Sequence, residues 1–211
     1  MESKTEETKD LRPESRSGFK EEINMMLDKL PGTTLDFDEK SVNNAFSVIK
    51  PMLDATGGLT LSQLAALTGL EGSTIQNWIK RGWVMSTEGK KYGERQVVRV
   101  ILINILRGTI KLEDIARLMH YINGQVDDLN DDILYDTELY DLMCRMLAEM
   151  TKLQLHTREE IEREIADRLD PAFTGEARKR LIKVLLIMIL GYRASYYRRM
   201  AEQEYSELDY E

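Results

Sequence analysis

The sequence lacks the features of a disulfide-stapled, secreted or membrane-spanning protein. It has one cysteine, Cys144, which excludes an intramolecular disulfide and any metal site built from several cysteines. Its longest near-continuous apolar run, residues 181–190, is interrupted by Lys183 and is too short to cross a bilayer of about 30 Å. The first 17 residues contain no apolar segment of the kind that a signal peptide needs. We therefore expect a cytoplasmic protein with no membrane partner.

The sequence motifs of common enzymes and cofactor sites are also missing. There is no nucleophile elbow, no glycine-rich phosphate loop and no metal-binding His-Glu motif on a helix. The two histidines, His120 and His156, are far from each other and from Cys144 along the chain, so they form no local metal-ligand motif. We expect no enzyme, no cofactor and no metal ion.

An acidic stretch after residue 126 invites a comparison with calcium-binding loops. Asp128, Asn130 and Asp132 do fall at the first three ligand positions of an EF-hand. However, Ile133 stands where that loop needs glycine, and Leu139 stands where it needs glutamate. We interpret the stretch as a solvated acidic patch.

The charge is distributed unevenly along the chain. The formal net charge is −8, but residues 60–119 contain nine basic and five acidic residues, a net of +4. The remainder of the chain therefore carries −12. Because phosphate neutralisation is local, a basic segment favours nucleic-acid binding even in an acidic protein.

We divide the 211 residues into four parts. Residues 1–17 are polar and poor in large apolar groups, which predicts a disordered tail. Residues 18–58 predict N-terminal helices over 19–30 and 36–53, with Pro51 kinking or shortening the second. Residues 59–122, which include the basic segment, form the third part, and residues 123–211 form an acidic and then apolar helical region. The expected fold class is all-α.

Residues 60–83 have the pattern of a helix-turn-helix, and Thr60 and Gln63 form a capping box at its start. Ala65 is small enough to lie where two helices cross, and Gly69 supplies the positive φ that the turn needs. Ile75 and Trp78 form the apolar underside of the second helix. Its polar outer face is then made of Ser73, Thr74, Gln76, Asn77, Lys80 and Arg81.

The segments after the helix-turn-helix predict a small wing and two more helices. Residues 83–85 and 91–92 are short extended pieces around a polar loop, which favours a hairpin. A helix is predicted from Glu94 to Gly108, and a second one ends at residues 123–124.

The C-terminal region predicts three further helices. One carries an apolar stripe that lasts about two heptads, too short for a long coiled coil: Leu139, Met143, Met146, Met150 and Leu153. Thr157 and Glu160 form a capping box for the next helix. The last helix, over 176–203, is apolar nearly all round between residues 181 and 190, so it is either buried centrally or covered by a partner chain. The second alternative allows a homodimer through the C-terminal helices.

The segment YRASYYRRM lies near the end of that last helix and mixes aromatic and basic residues. We expect Tyr192, Tyr196 and Tyr197 to pack beside the helix with their hydroxyl groups outward. Cys144, which stands among apolar residues, is expected to be buried and unreactive.

Residues 59–119 resemble the MerR-type winged helix-turn-helix domain of bacterial transcription regulators. The resemblance rests on the order of four segments: LTLSQLAALTGL, STIQNWIKRGW, KKYGERQVVRVILINILRG and IKLEDIARLM. With NWIKRGW and YINGQVDDLNDDI, the wider chain also resembles an uncharacterised bacterial family that carries this domain. The resemblance implies a transcription regulator that binds duplex DNA.

The resemblance further implies that the second helix enters the major groove while the wing grips the backbone. Thr74, Gln76 and Asn77 would face bases or nearby phosphates, since glutamine and asparagine can pair with adenine. The full set of predicted DNA-binding residues is Ser73, Thr74, Gln76, Asn77, Lys80, Arg81, Lys90, Lys91, Tyr92 and Arg95.

The chain departs from the family pattern in three places. Glu71 and Gly72 replace a neutral capping residue and a proline, so we expect the recognition helix to begin at Ser73. Gln76 stands where arginine is common. The long dimerising helix of the family is replaced by a break at residues 123–124, so a dimer would use other surfaces. The alternative interpretation is a protein-interaction module that keeps the winged-helix fold, has lost DNA binding and uses its acidic, methionine-rich C-terminal half for contact.

Overall fold

The computed structural model describes residues 26–37, 39–87, 89–124 and 133–208. Helices make up about 69% of these residues, and the strands among them form a two-stranded antiparallel sheet, which confirms the mostly helical class. After a 3₁₀ helix at Glu39–Val48, the helices are α1 (Lys50–Thr56), α2 (Leu61–Thr68), α3 (Gly72–Lys80), α4 (Glu94–Leu106), α5 (Leu112–Asn123), α6 (Asp136–Lys152), α7 (Arg158–Arg168) and α8 (Gly175–Ser206). The strands are β1 (Leu59–Thr60) and β2 (Lys91–Tyr92).

The N-terminal part departs from the predicted helices. The helix expected over 36–53 is two elements, because Asn44 has a non-helical backbone (φ −152°, ψ 65°) and Pro51 lies in the first turn of α1. Of the helix expected over 19–30, only residues 26–30 are described, and there the chain turns after Met26. Lys29 then forms a β-bridge with Asp36. The predicted tail, 1–17, lies outside the described residues.

The two helices of the predicted helix-turn-helix are present, and local signals fix their ends. Thr60 accepts a hydrogen bond from the Gln63 amide (3.3 Å), and the Gln63 side chain accepts one from the Thr60 amide (2.8 Å), which confirms the capping box. Gly69 has the expected positive φ of 68°. The second helix, α3, begins at Gly72, one residue before the predicted Ser73, because Glu71 already has the extended backbone of an N-cap.

The predicted pairing of the wing is wrong. Strand β2 pairs with β1, in the register Leu59–Tyr92 and Thr60–Lys91, and not with residues 83–85, which form no strand. Gly58 explains how the strands meet: its φ is +107°, and a β-carbon there would lie 2.9 Å from the Tyr92 carbonyl oxygen. The small sheet therefore ties the entry of the helix-turn-helix to the start of α4.

The core is built around α8, which packs against α4, α5, α6 and α7. Its residues between 181 and 190 are mostly buried, so central burial is confirmed for this helix, although Leu190 is 37% exposed. The apolar stripe of α6 lies inside the same core, apart from Leu153, which is 44% exposed. Within the described ranges, none of the helices combines the length and the apolar content that a bilayer span needs.

Candidate nucleic-acid interface

The outer face of α3 is polar and exposed because its opposite face is anchored in the core. Ile75 is fully buried and Trp78 is 1% exposed. This orientation exposes the side chains at i, i+3, i+4 and i+7 of the helix, whereas Thr74 lies half-buried at the edge. We call these four exposed side chains the α3 face; they are Ser73, Gln76, Asn77 and Lys80.

The α3 face has no partners inside the described part of the chain. None of its four side chains forms a hydrogen bond or an ion pair with a described residue. The N-terminal amides of α3 also lack a side-chain cap, since Glu71 provides none. Their hydrogen-bonding capacity is therefore available to a molecule that docks against this helix.

Arg81, the last predicted residue of the helix, is engaged inside the molecule. Its guanidinium lies 3.4 Å from the Glu113 carboxylate at the start of α5 and 5.1 Å from the centre of the Trp83 ring. The side chain is still about half exposed. Arg81 thus links the end of α3 to α5, and the exposed half of its side chain remains accessible from solvent.

The predicted wing residues have different environments. Lys90 is exposed and has no partner among the described residues, whereas Lys91 is exposed but donates to the Thr56 carbonyl. Tyr92 is 8% exposed and belongs to the core, where burial raises the pKa of its phenol. Arg95 is half-buried and lines a cleft of about 300 Å³. Lys90 is therefore the exposed cation of this segment that has no hydrogen-bond or ion-pair partner among the described residues.

Arg99 belongs to the basic segment of the sequence but does not contribute to its surface. Its side chain is 9% exposed, and its Nε lies 2.6 Å from a carboxylate oxygen of Asp136, at the start of α6. The second oxygen of Asp136 accepts a hydrogen bond from Asn123 (2.9 Å). No sequence signal links these residues, since the two charges are 37 positions apart.

Acidic groups near the site are partly neutralised. The Glu94 carboxylate, next to Arg95, accepts a hydrogen bond from Lys50 (3.2 Å), and this contact raises the pKa of the lysine amine. Glu71 stands at the N-terminus of α3 and has no partner among the described residues, so its charge there would oppose an approaching phosphate.

Residues 47–143 match the family model described as Domain of unknown function (DUF1836). This range contains all ten of the predicted DNA-binding residues. A similar protein is the Uncharacterized protein YkrK of Bacillus subtilis (strain 168), which is 29% identical over 91 residues. The aligned part is 41% of this chain and 39% of that protein, so the chain spans well under half of its relative's length. No solved structure matches the chain.

Proposed function

We propose that this chain binds duplex DNA through the α3 face and Lys90, and that it acts as a transcription regulator. The observation that carries the proposal is the α3 face itself: four polar side chains that the core anchor holds outward and that have no partner among the described residues. The proposal agrees with the resemblance of residues 59–119 to MerR-type domains. It assigns no catalytic step.

In this proposal α3 lies in the major groove. Gln76 and Asn77 carry amides that can pair bidentately with adenine, while Ser73 is near enough to the helix start to reach a phosphate. Lys80, on the same face, follows one turn after Gln76 and supplies a positive charge for the backbone. Thr74 adds a smaller contact from the edge.

Fewer side chains of the wing are available to contact DNA than the resemblance implies. Lys90 is the accessible cation there, Lys91 and Arg81 would have to exchange an internal partner for a phosphate, and Tyr92 supports the sheet from the core. Affinity should therefore depend most on Lys80 and Lys90.

The test is binding of the full chain to mixed-sequence duplex DNA at salt concentrations between about 50 and 200 mM. We expect the affinity to fall linearly on a logarithmic salt scale. The charge reversals Lys80→Glu and Lys90→Glu should each reduce that slope by about one unit or more, because each removes a phosphate contact. Fluorescence anisotropy of a labelled duplex measures both quantities.

A matched control is Lys179→Glu, which makes the same charge change at an exposed lysine of α8, a helix that carries none of the predicted DNA-binding residues. It should leave the salt slope unchanged, apart from the small effect of net charge. Absence of salt-sensitive binding at about 50 mM, or equal effects of all three reversals, would contradict the proposal.

A homodimer is part of the proposed arrangement. Two recognition helices bind adjacent turns of the major groove when their centres are about 34 Å apart. Apart from Leu153, the α6 stripe is buried within the chain, so the exposed apolar residues of the C-terminal helices, such as Leu190 and Tyr197, are the better candidates for a dimer contact. Analytical ultracentrifugation with and without DNA gives the oligomeric state.

The second candidate is a protein-interaction module that keeps this fold. The observation that favours it is the internal engagement of Arg81 and Lys91, which leaves fewer cations for phosphates. Its methionines Met143, Met146 and Met150 are buried, so the contact surface would have to come from the acidic residues instead. The DNA-binding experiment above separates the two candidates.

A further inference from the structure

Arg193 is a buried cation for which the described residues supply no anion. The side chain is 8% exposed, on the C-terminal half of α8. One of its terminal amino groups donates to the Leu155 carbonyl, but its Nε is buried without a hydrogen-bond partner. Burial lowers the pKa of this guanidinium, and no carboxylate among the described residues pairs with it.

This environment is unusual because a buried charge without a counter-ion is strongly unfavourable. The other arginine that is buried among the described residues, Arg99, has the expected partner, with Asp136 at 2.6 Å. Because a buried charge needs a counter-ion, Arg193 should also have an anionic partner, and the described residues supply none. A buried guanidinium that has one hydrogen bond and no carboxylate partner points to an anion that comes from outside the described residues.

Arg193 lines a cavity of about 260 Å³, which provides the space for such an anion. The other walls are mainly apolar or aromatic and include Met26, Tyr196, Tyr197 and Met200. Of these, Tyr197 is 54% exposed and Met200 is half-buried, so the cavity has an entrance from solvent. We call it the Arg193 cavity.

The rim of the Arg193 cavity also contains polar side chains. Gln154, between α6 and α7, has a φ of 52° because it ends α6 in a Schellman motif. In this motif the Gln154 amide donates to the Thr151 carbonyl (3.1 Å) and the Leu155 amide donates to the Met150 carbonyl (3.0 Å). His156 stands on the same rim and adds a polar group at the entrance.

We propose that the Arg193 cavity binds a small organic monocarboxylate with a compact apolar body. The carboxylate would pair with Arg193, whose planar guanidinium fits two carboxylate oxygens, and the body would lie against Met26, Tyr196 and Met200. Pockets with apolar walls and one or two polar anchors are typical of such ligands. The proposal does not depend on DNA binding.

The apolar walls distinguish this ligand class from inorganic phosphate or a phosphate ester. A phosphate ester carries nearly two negative charges, whereas the cavity offers a single buried cation. Inorganic phosphate would also leave the aromatic and methionine walls unfilled. A single negative charge attached to an apolar group matches both features.

The first test compares benzoate with benzamide, which has nearly the same shape without the charge. In calorimetric titrations of the full chain, benzoate should bind saturably and benzamide at least tenfold more weakly. In a spectrum of ¹³C-methyl methionine, benzoate should shift the signals of Met26 and Met200 but not that of Met52, which does not line the cavity. Equal binding of the two compounds, or binding that leaves Met26 and Met200 unshifted, would contradict the proposal.

The second test removes the charge. Arg193→Gln should weaken benzoate binding at least tenfold, whereas Arg180→Gln should bind benzoate as the wild type does. Arg180 is a matched control, because it is also an α8 arginine with a buried Nε that lacks a hydrogen bond, but it lies near Glu176 (4.0 Å) and over the Tyr121 ring. Unchanged binding by Arg193→Gln would overturn the assignment, as would phosphate binding as tight as that of benzoate.

Should Arg193→Gln fail to fold, a variant that fills the cavity replaces it. Met200 is half-buried in the last turns of α8, so Met200→Trp should be tolerated and should block the cavity. We expect it to abolish benzoate binding, and full retention of binding would place the ligand elsewhere. The comparison of benzoate with benzamide on the wild type remains valid in either case.

Discussion

Arg99 and Asp136 form the buried ion pair that joins the predicted DNA-binding region to the C-terminal helices. Arg99 belongs to α4 and Asp136 to the first turn of α6, and both side chains are about 10% exposed or less. Asp136 also accepts a hydrogen bond from Asn123 at the end of α5. One carboxylate therefore holds three helices, and its removal would leave a cation and an amide without partners.

Asp136→Ala should lower the free energy of unfolding by about 3–5 kcal/mol, because it leaves Arg99 buried and unpaired. Urea denaturation followed by tryptophan fluorescence measures the change. Asp114→Ala is the control, since Asp114 pairs with Arg117 at an exposed position and should cost less than about 1 kcal/mol.

The double replacement of Arg99 and Asp136 by leucine tests the explanation. If the cost of Asp136→Ala comes from the stranded charge, the double variant should be clearly more stable than the single one. A double variant as unstable as Asp136→Ala would indicate lost packing instead.

Residues whose role depends on near neighbours could be predicted from the sequence, and residues with distant partners could not. Trp78 is in the core as helical spacing predicts, and Cys144 is buried, with the pKa of its thiol raised by burial. Tyr192, in contrast, was expected with its hydroxyl outward, but the side chain is 6% exposed and donates to the Met26 carbonyl, 166 positions away. The burial of Arg193 could not be predicted either, because the segment YRASYYRRM does not show which of its arginines faces the core.

At the scale of elements, helix ends follow local chemistry while strand pairing does not. The capping boxes at Thr60 and Thr157 start α2 and α7 at the predicted residues. The predicted partner of β2 is wrong, because the turn-rich loop before β2 favours a local hairpin in the sequence. The actual partner, β1, lies some 30 residues earlier in the chain. The pairing brings Thr60 into both the sheet and the cap of α2.

Thr60→Ala should therefore destabilise the molecule by about 1 kcal/mol, within a range of about 0.5–2 kcal/mol. The reason is that the Gln63 amide loses its acceptor at the start of α2. The measurement is again urea denaturation, with Thr174→Ala as the control, because Thr174 is the exposed N-cap of α8 and its side chain makes no cap hydrogen bond. Equal effects of the two variants would show that the cap contributes nothing specific.

At the scale of the whole molecule, α8 crosses the turn between α4 and α5 at very short distance. A β-carbon at Gly191 would lie 3.2 Å from the Leu106 side chain, and one at Gly108 would lie 2.3 Å from the Ser195 hydroxyl oxygen. Thr109 also donates to the Gly191 carbonyl (3.0 Å). The predicted boundary at residue 123 therefore divides the sequence but does not divide the packed core.

This shared core predicts that the described helices unfold together. Both tryptophans, Trp78 and Trp83, lie in the helix-turn-helix region, so their fluorescence reports on that region, whereas circular dichroism reports on all the helices. Leu185→Ala, at a fully buried position of α8, should lower the free energy of unfolding by about 2–5 kcal/mol and move both transitions equally.

The control for this prediction is Leu190→Ala, on the same helix but 37% exposed, which should move both transitions much less. If Leu185→Ala shifts the circular dichroism transition and leaves the fluorescence midpoint in place, the helix-turn-helix region folds independently of α8. A common shift means that a change in the packing of α8 reaches α3 through α4, because α4 contacts both α8 and α2, which packs on α3. The orientation of the α3 face would then depend on the C-terminal helices as well as on its own anchor residues.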